Sequence, residues 1–147
     1  MADDQSKKHI ALFSSSVAYP FYIDILSGVR KEIQDAGMQL SVFVGGSITH
    51  TGQFTSGERI IYDLVNTESV DGLIILGDIA REISIDQFNK FCRKYKAIPR
   101  TAIAFPLEDT EVIDVDSAFG IRQMMNHMIN HHKFSKIACI AGPQDNY

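Results

Sequence analysis

The sequence predicts an α/β protein: a doubly wound parallel sheet with helices on both faces. Short apolar runs bounded by Gly, Pro or small polar residues read as buried strands, and the longer segments between them carry apolar residues at spacings of three and four. The two kinds alternate along the chain, the pattern that strand, crossover helix and parallel strand require.

The first strand is His9 to Ser15, an apolar run ending in small polar residues. A helix follows from Pro20 to Ala36, with Phe21, Ile25, Val29, Ile33 and Ala36 as its apolar face; Pro20 suits the first turn and Gly37 the C-terminal cap. Gln39 to Val44 is the second strand, stopped by Gly45 and Gly46. Ser47 to Gln53 reads as loop, and Thr55 to Asn66 as a second helix with Ile60, Ile61, Leu64 and Val65 inward. The third strand, Gly72 to Leu76, has turn residues at both ends. A helix from Ile85 to Tyr95 carries Phe88, Phe91, Cys92 and Tyr95 on one face, with Ser84 as its cap. Pro99 and Pro106 confine the fourth strand to about Arg100 to Phe105, and a shorter strand covers Val112 to Val115. The last helix spans Ala118 to about His131, turning Ile121, Met124, Met125, Met128 and Ile129 to the core, and Ile137 to Ala141 forms a final strand.

Composition narrows the function classes. With 147 residues and 45% apolar content the chain can bury a core, and a net charge of −4 with scattered Lys and Arg disfavours nucleic acid as a partner. No apolar run reaches the roughly 18 residues of a membrane span, and the start MADDQSKKHIALF does not read as a secretory leader. A cytoplasmic location and no membrane partner are the expectation. Cys92 and Cys139 read as buried thiols.

In doubly wound sheets ligands collect beyond the carboxyl ends of the strands. The residues there are Ser14, Ser15 and Ser16, then Tyr19, Phe21 and Tyr22, then Gly45, Gly46, Gly77, Asp78, Phe105, Asp116 and Ser117. They supply hydroxyls, carboxylates and flat aromatic faces, suited to a polyhydroxylated or heterocyclic small molecule. No phosphate loop follows the first strand, where the sequence is SSSVAYPFY, and there is no GxSxG elbow. Among the histidines only His50 falls in a loop on that side of the sheet; His9 opens a strand, and His127, His131 and His132 lie toward the far end of the last helix. His127 and His131 share a helix face, yet no carboxylate or thiolate completes a ligand set, and histidines in a last turn complement the helix dipole. No catalytic set, cofactor or metal is expected.

The run AYPFYIDILSGVRKEIQDAGMQLSVF resembles the first helix and second strand of the type 1 periplasmic binding protein and lac repressor superfamily, where an NPFF-like turn leads a helix ending in Gly. VDGLIILG resembles that family's third strand, IPRTAIA its fourth, and VIDVDSAFGIRQMMNHMINHHKFSKIACIAGP the passage built on VDN, Gly, His-Leu, Ile-Ala and Gly-Pro. The resemblance runs from about residue 8 to 143. It implies two similar lobes clamping a small molecule, with residues 1–8 a disordered tail, 9–134 the first lobe and 135–147 the first strand of a second, truncated lobe. The family's aromatic pair falls on Phe21 and Tyr22 and the VDN aspartate on Asp116, whereas Tyr19 and Ser117 stand where the family often has Asn. HHKFSKIA has one residue more than the usual junction. With FNKFCRKY and AGPQDN it resembles sensor modules fused to diguanylate cyclases or histidine kinases in bacterial signalling proteins.

The reading is therefore a small-molecule sensing domain that acts by lobe closure on an attached output domain. Ser14, Ser15, Tyr19, Phe21, Tyr22, Asp78, Asp116 and Ser117 are its candidate ligand contacts. Plainer roles stand beside these: Phe21 as helix core, Asp116 as a helix cap, the serines as turn formers. An effector domain of a lac repressor-like regulator and a soluble solute-binding protein are the alternatives. Half a cleft would also leave apolar surface uncovered, so self-association or a homodimer is expected.

Overall fold

Each strand of this chain is a short run of β-branched or large apolar residues, and such runs persist only where neighbours satisfy their backbone groups. The computed structural model describes residues 7–48, 59–81 and 83–140. There β1 (His9–Ser14), β2 (Gln39–Val44), β3 (Gly72–Leu76), β4 (Arg100–Ile103) and β5 (Glu111–Ile113) form one sheet in the order β2-β1-β3-β4-β5. All four pairings are parallel, with Phe13 opposite Phe43 on one side of β1 and Ile75 on the other. The chain divides into two compact units, Met1–Ile113, which holds the sheet, and Asp114–Tyr147.

The path from β1 to β2 runs one way across the sheet and every later crossover runs the other way, so the winding reverses between β1 and β3. With right-handed crossovers this places α1 (Pro20–Asp35) on one face and the segments between β2 and β4 on the other. Strand residues alternate between faces accordingly. Ala11 and Phe13 enter a core with Tyr62, Leu73, Ile75, Phe88, Tyr95 and Ala102, while Leu12, equally buried, points to the opposite face. The Phe13 ring lies 4.7 Å from Tyr62 and 5.1 Å from Tyr95. Burying side chains of this size stabilises the fold by about 1.5–3 kcal/mol each before entropy is counted.

Local signals set several boundaries. Pro20 occupies the first turn of α1, and Gly37 follows its end at φ +71°, a conformation glycine adopts without a Cβ penalty. Ser84 caps α2 (Ile85–Cys92) through a capping box: its hydroxyl accepts the Gln87 N–H at 3.3 Å, and the Gln87 side chain accepts the Ser84 N–H at 3.0 Å. A 3-10 turn, Arg93–Tyr95, continues α2, and Phe88, Cys92 and Tyr95 are buried as their spacing predicts. Burial pushes the Cys92 thiol up to about 12, so it stays protonated.

The structure departs from the sequence reading in several places. Part of the helix predicted over 55–66 lies outside the described residues, and what is described is a 3-10 helix, Arg59–Leu64. With three residues per turn it turns Tyr62 and Val65 inward, leaving Ile60 and Leu64 exposed. In α1 only Ile33 is buried, and Phe21, assigned to the apolar face, is 63% exposed. β4 stops at Ile103 because Ala104 takes φ +61°, although its N–H still donates to the Ile113 carbonyl at 2.9 Å. The short strand is shifted to Glu111–Ile113.

In the second unit α3 (Ser117–Asn126) passes into a π-turn, His127–His131. None of its residues is buried, and Ile121, Met124 and Ile129 are exposed rather than core. Residues 137–140 form no strand, although the sequence pattern predicts one there. Cys139 is exposed, not buried.

Candidate functional site

The crevice at a winding reversal is where an open α/β sheet can receive a ligand, because neighbouring loops there diverge to opposite faces. In this chain that point is the carboxyl end of β1 beside that of β3, and a hydrogen-bonded joint spans it. The β3 strand runs directly into a 3-10 turn, Gly77–Ala80, carrying Asp78. Its Oδ2 accepts from the Ser15 N–H at 2.8 Å and the Ser15 hydroxyl at 2.8 Å, and stands 2.9 Å from the Ser14 hydroxyl. Gly77 lets the chain after β4 come close beside the turn: a Cβ there would stand 2.7 Å from the Phe105 Cβ and 2.8 Å from the Ala104 carbonyl oxygen. Left-handed Ala104 and Gly77 thus form one close packing at the ends of β3 and β4.

The joint is polar but largely withdrawn from water. Ser14 is 1% exposed, and the other carboxylate oxygen, Oδ1 of Asp78, is buried with no hydrogen-bond partner among the described residues. A buried acceptor left unpaired costs about 1–3 kcal/mol, which makes it a natural receiver of a ligand's donor. Burial raises the Asp78 carboxyl above its ordinary range, opposed by the hydrogen bonds from Ser15, Ser14 and Ser16. The Ser14 hydroxyl has one proton and two acceptors in reach, Asp78 Oδ2 at 2.9 Å and the Ser16 carbonyl at 2.7 Å. An ionised Asp78 draws that proton to itself. A neutral Asp78 can donate to the Ser14 oxygen and release the proton to Ser16.

The aromatic candidates stand at the head of α1, which the loop after β1 brings to the same end of the sheet. Tyr19 caps α1 with its backbone only, and the Tyr22 ring lies 6.1 Å from Tyr19 and 5.5 Å from Phe21 in edge contacts. Both outer rings are exposed, Tyr19 at 56%. Exposed aromatic faces of this kind form walls against which flat or ring-shaped molecules pack.

Asp116 and Ser117 belong to the second unit. Asp116 caps α3, its carboxylate accepting the Phe119 N–H at 2.7 Å, and the Ser117 N–H donates to the Val115 carbonyl at 2.7 Å. The cap role foreseen for Asp116 is therefore realised. His50 lies outside the described residues.

One contributor went unread in the sequence. Tyr62, fully buried, accepts the Gly45 N–H at 3.1 Å on its hydroxyl oxygen, which also stands 2.9 Å from the Ser14 carbonyl and 2.8 Å from that of Gly46. The loop after β2 is stitched onward to the loop after β3, Ile48 N–H to Ile79 O at 2.8 Å and the Ser47 hydroxyl to Arg81 O at 3.0 Å. The three loops thus share one hydrogen-bonded rim. Tyr62 stands in no motif; only its spacing of three from Val65 hints that it faces inward.

Comparison with solved structures places this architecture. The chain superposes on a periplasmic binding protein/LacI transcriptional regulator from Alkaliphilus metalliredigens QYMF complexed with D-xylulofuranose, with a TM-score of 0.55 at 18% identity over 84% of this chain and 41% of that one. It likewise matches XylFII, alone and in the XylFII-LytSN complex, each with a TM-score of 0.53 at 18% identity over 85% of this chain and 44% of that one. The fold is that of a type 1 periplasmic binding protein lobe. This chain spans less than half the length of the solved structures it matches. No protein-family model matches the sequence, and neither does any curated protein. No helix among the described residues is long and apolar enough to cross a membrane.

Proposed function

We propose that this chain is the first lobe of a domain that senses a small polar molecule, sugar-like in its hydroxyl content, for a bacterial signalling or regulatory protein. The observation that carries the reading is the Asp78 joint: a buried carboxylate oxygen with no partner among the described residues, at the winding reversal, on the same sheet end as the exposed Tyr19 and Phe21 rings and the half-buried Tyr22 between them. Hydroxyl donors suit that oxygen, and a ring suits the aromatic wall. The solved relative complexed with D-xylulofuranose supports a pentulose or related sugar as the first class to try. A second lobe would close over a ligand held in this way, and only the closed state would let both lobes touch it, so binding would bias an attached output domain such as a histidine kinase or a diguanylate cyclase. The XylFII-LytSN complex supports a protein partner for such a sensor. A cytoplasmic location belongs to the same proposal. The effector-binding domain of a transcription regulator would use the same cleft, and the kind of output domain adjoining it separates the two.

The test is a thermal-shift and calorimetric screen of pentoses, pentuloses, hexoses, nucleobases and amino-acid derivatives on the whole protein. A saturable hit should stabilise it in proportion to the logarithm of ligand concentration above the dissociation constant. Phe21→Ala and Asp78→Ala should each weaken that hit by roughly tenfold or more, the loss of about 1.4 kcal/mol or above expected of a stacking face or a buried acceptor. A hit that both variants bind unchanged, or a screen that stabilises nothing, would sink the proposal.

A further inference from the structure

We infer that Tyr62 is a positioning residue of the cleft: its hydroxyl clamps the ends of β1 and β2 together and so holds Ser14 and Ser15 in register with Asp78. The identity of the site as a ligand cleft rests on the function proposed above; the clamp itself rests on geometry alone. A hydroxyl offers one proton and two lone pairs. Around this one stand the Gly45 N–H at 3.1 Å, the Ser14 carbonyl at 2.9 Å and the Gly46 carbonyl at 2.8 Å. Ser14 and Gly46 lie 32 residues apart in sequence, and beyond Val44 the ladder adds only a long Gly45 N–H to Ser14 carbonyl bond at 3.3 Å, which the hydroxyl reinforces by engaging both of its groups and the Gly46 carbonyl as well.

The residue is held through both its ring and its backbone. It packs on Phe13 at 4.7 Å and on Phe91 at 5.9 Å, and the Tyr95 hydroxyl donates to the Tyr62 carbonyl at 2.8 Å. Burial keeps Tyr95 protonated, which preserves that donor. On the loop side Gly45 permits the contact, since a Cβ there would stand 2.7 Å from the Tyr62 ring. A residue serving only as core filler needs its ring; the hydroxyl placed among three backbone groups at full burial does something further. It fixes the Ser14 carbonyl from the Tyr62 face while Asp78 engages the Ser14 and Ser15 side chains, so the strand end is gripped at both backbone and side chain. Preorganisation of this kind spares a ligand the cost of ordering the loops itself.

Amide hydrogen exchange on the whole protein, with no ligand added, tests the clamp. Tyr62→Phe keeps the ring and removes the hydroxyl. The expected result is at least tenfold faster exchange at Gly45 and its loop neighbours, with the centre of β1 at Leu12 and Phe13 changed far less. A purely structural role predicts instead that loop and strand amides accelerate together, in step with the drop in global stability, and that outcome would overturn the inference. Should the variant not fold, the wild-type protein still offers a test, since free exchange at Gly45 refutes the clamp. Because no ligand enters the measurement, a negative sugar screen would remove the functional reading and leave this result standing, whereas unchanged Gly45 exchange removes the clamp alone.

Discussion

β3 begins and ends beside an aspartate, and the two are used in opposite ways. Asp71, exposed at the amino end, is absorbed into stitching: its carboxylate accepts the His9 N–H at 2.7 Å, and its own N–H donates to the His9 carbonyl at 2.8 Å. The His9 ring completes the seam, with Nδ1 2.9 Å from the Ser69 carbonyl and Nε2 2.8 Å from the Ser41 hydroxyl. A carbonyl only accepts, so Nδ1 carries the proton that it donates to Ser69. Asp78, at the carboxyl end, is withdrawn from water, collects serine donors on one oxygen and leaves the other without a partner among the described residues. One end of the sheet spends its polar groups on holding strands together. The other keeps one in reserve at a cost in stability, as functional sites commonly do.

The contrast can be broken most forcefully at the glycines that bound β3. A Cβ at Gly77 would meet the Phe105 Cβ at 2.7 Å and the Ala104 carbonyl oxygen at 2.8 Å, both close to the backbone and unable to swing aside. Gly77→Ala should therefore lower unfolding free energy by about 1–3 kcal/mol in urea titration, the usual cost of overpacking. At the other end a Cβ on Gly72 meets the flexible tip of Ile10 at 3.0 Å and the Pro99 carbonyl oxygen at an ordinary contact distance of 3.7 Å, so Gly72→Ala should cost clearly less. Equal losses would erase the difference between the two ends.

His9→Ala comes next. It removes two ring hydrogen bonds from the amino-end seam and should cost about 1–2 kcal/mol, while leaving exchange at Gly45 and any ligand affinity untouched. Lost ligand binding in this variant would mean that the two ends are coupled and that the seam is not merely structural.

Asp78→Asn sharpens the comparison with the smallest effect. Burial holds the folded-state carboxyl above its ordinary value of 3.8, so the group's favourable contribution is complete below pH 3.8 and is lost as pH rises through the raised value. The asparagine variant lacks this dependence. Its stability relative to the wild type should accordingly improve as pH climbs from 3.8 and then level off, as read from urea midpoints across a pH series. A relative stability that falls over that window would show the serine donors outweighing desolvation.

Much of the scaffold was legible because its signals are local. β2 and β3 match their sequence-read limits to the residue, since Gly45, Gly72 and Gly77 sit at their boundaries. The capping box at Ser84 and the Pro20 and Gly37 ends of α1 needed only neighbours within four positions. The candidate site was legible in part: the rule that ligands gather at strand carboxyl ends led to Ser14, Ser15 and Asp78 without revealing that they bond one another. Phe21 was placed on a core-facing stripe by spacing, yet it stands at the first turn of α1 and is exposed.

By itself the sequence determined the alternation of strand and helix, the places where each element starts and stops, and the chemical types gathered beyond the strands, all of which follow from propensity, periodicity and turn chemistry within a few residues. Tertiary structure alone decided the rest. Strand order joined Ser15 to Asp78 across 63 positions, and the 3-10 path of residues 59–64 turned Tyr62 rather than Ile60 inward. Residues 137–140 stand in no strand, although their apolar pattern predicts one. Hydrogen bonds between distant segments and the ladder that makes a strand depend on which surfaces meet, and no local window contains that information.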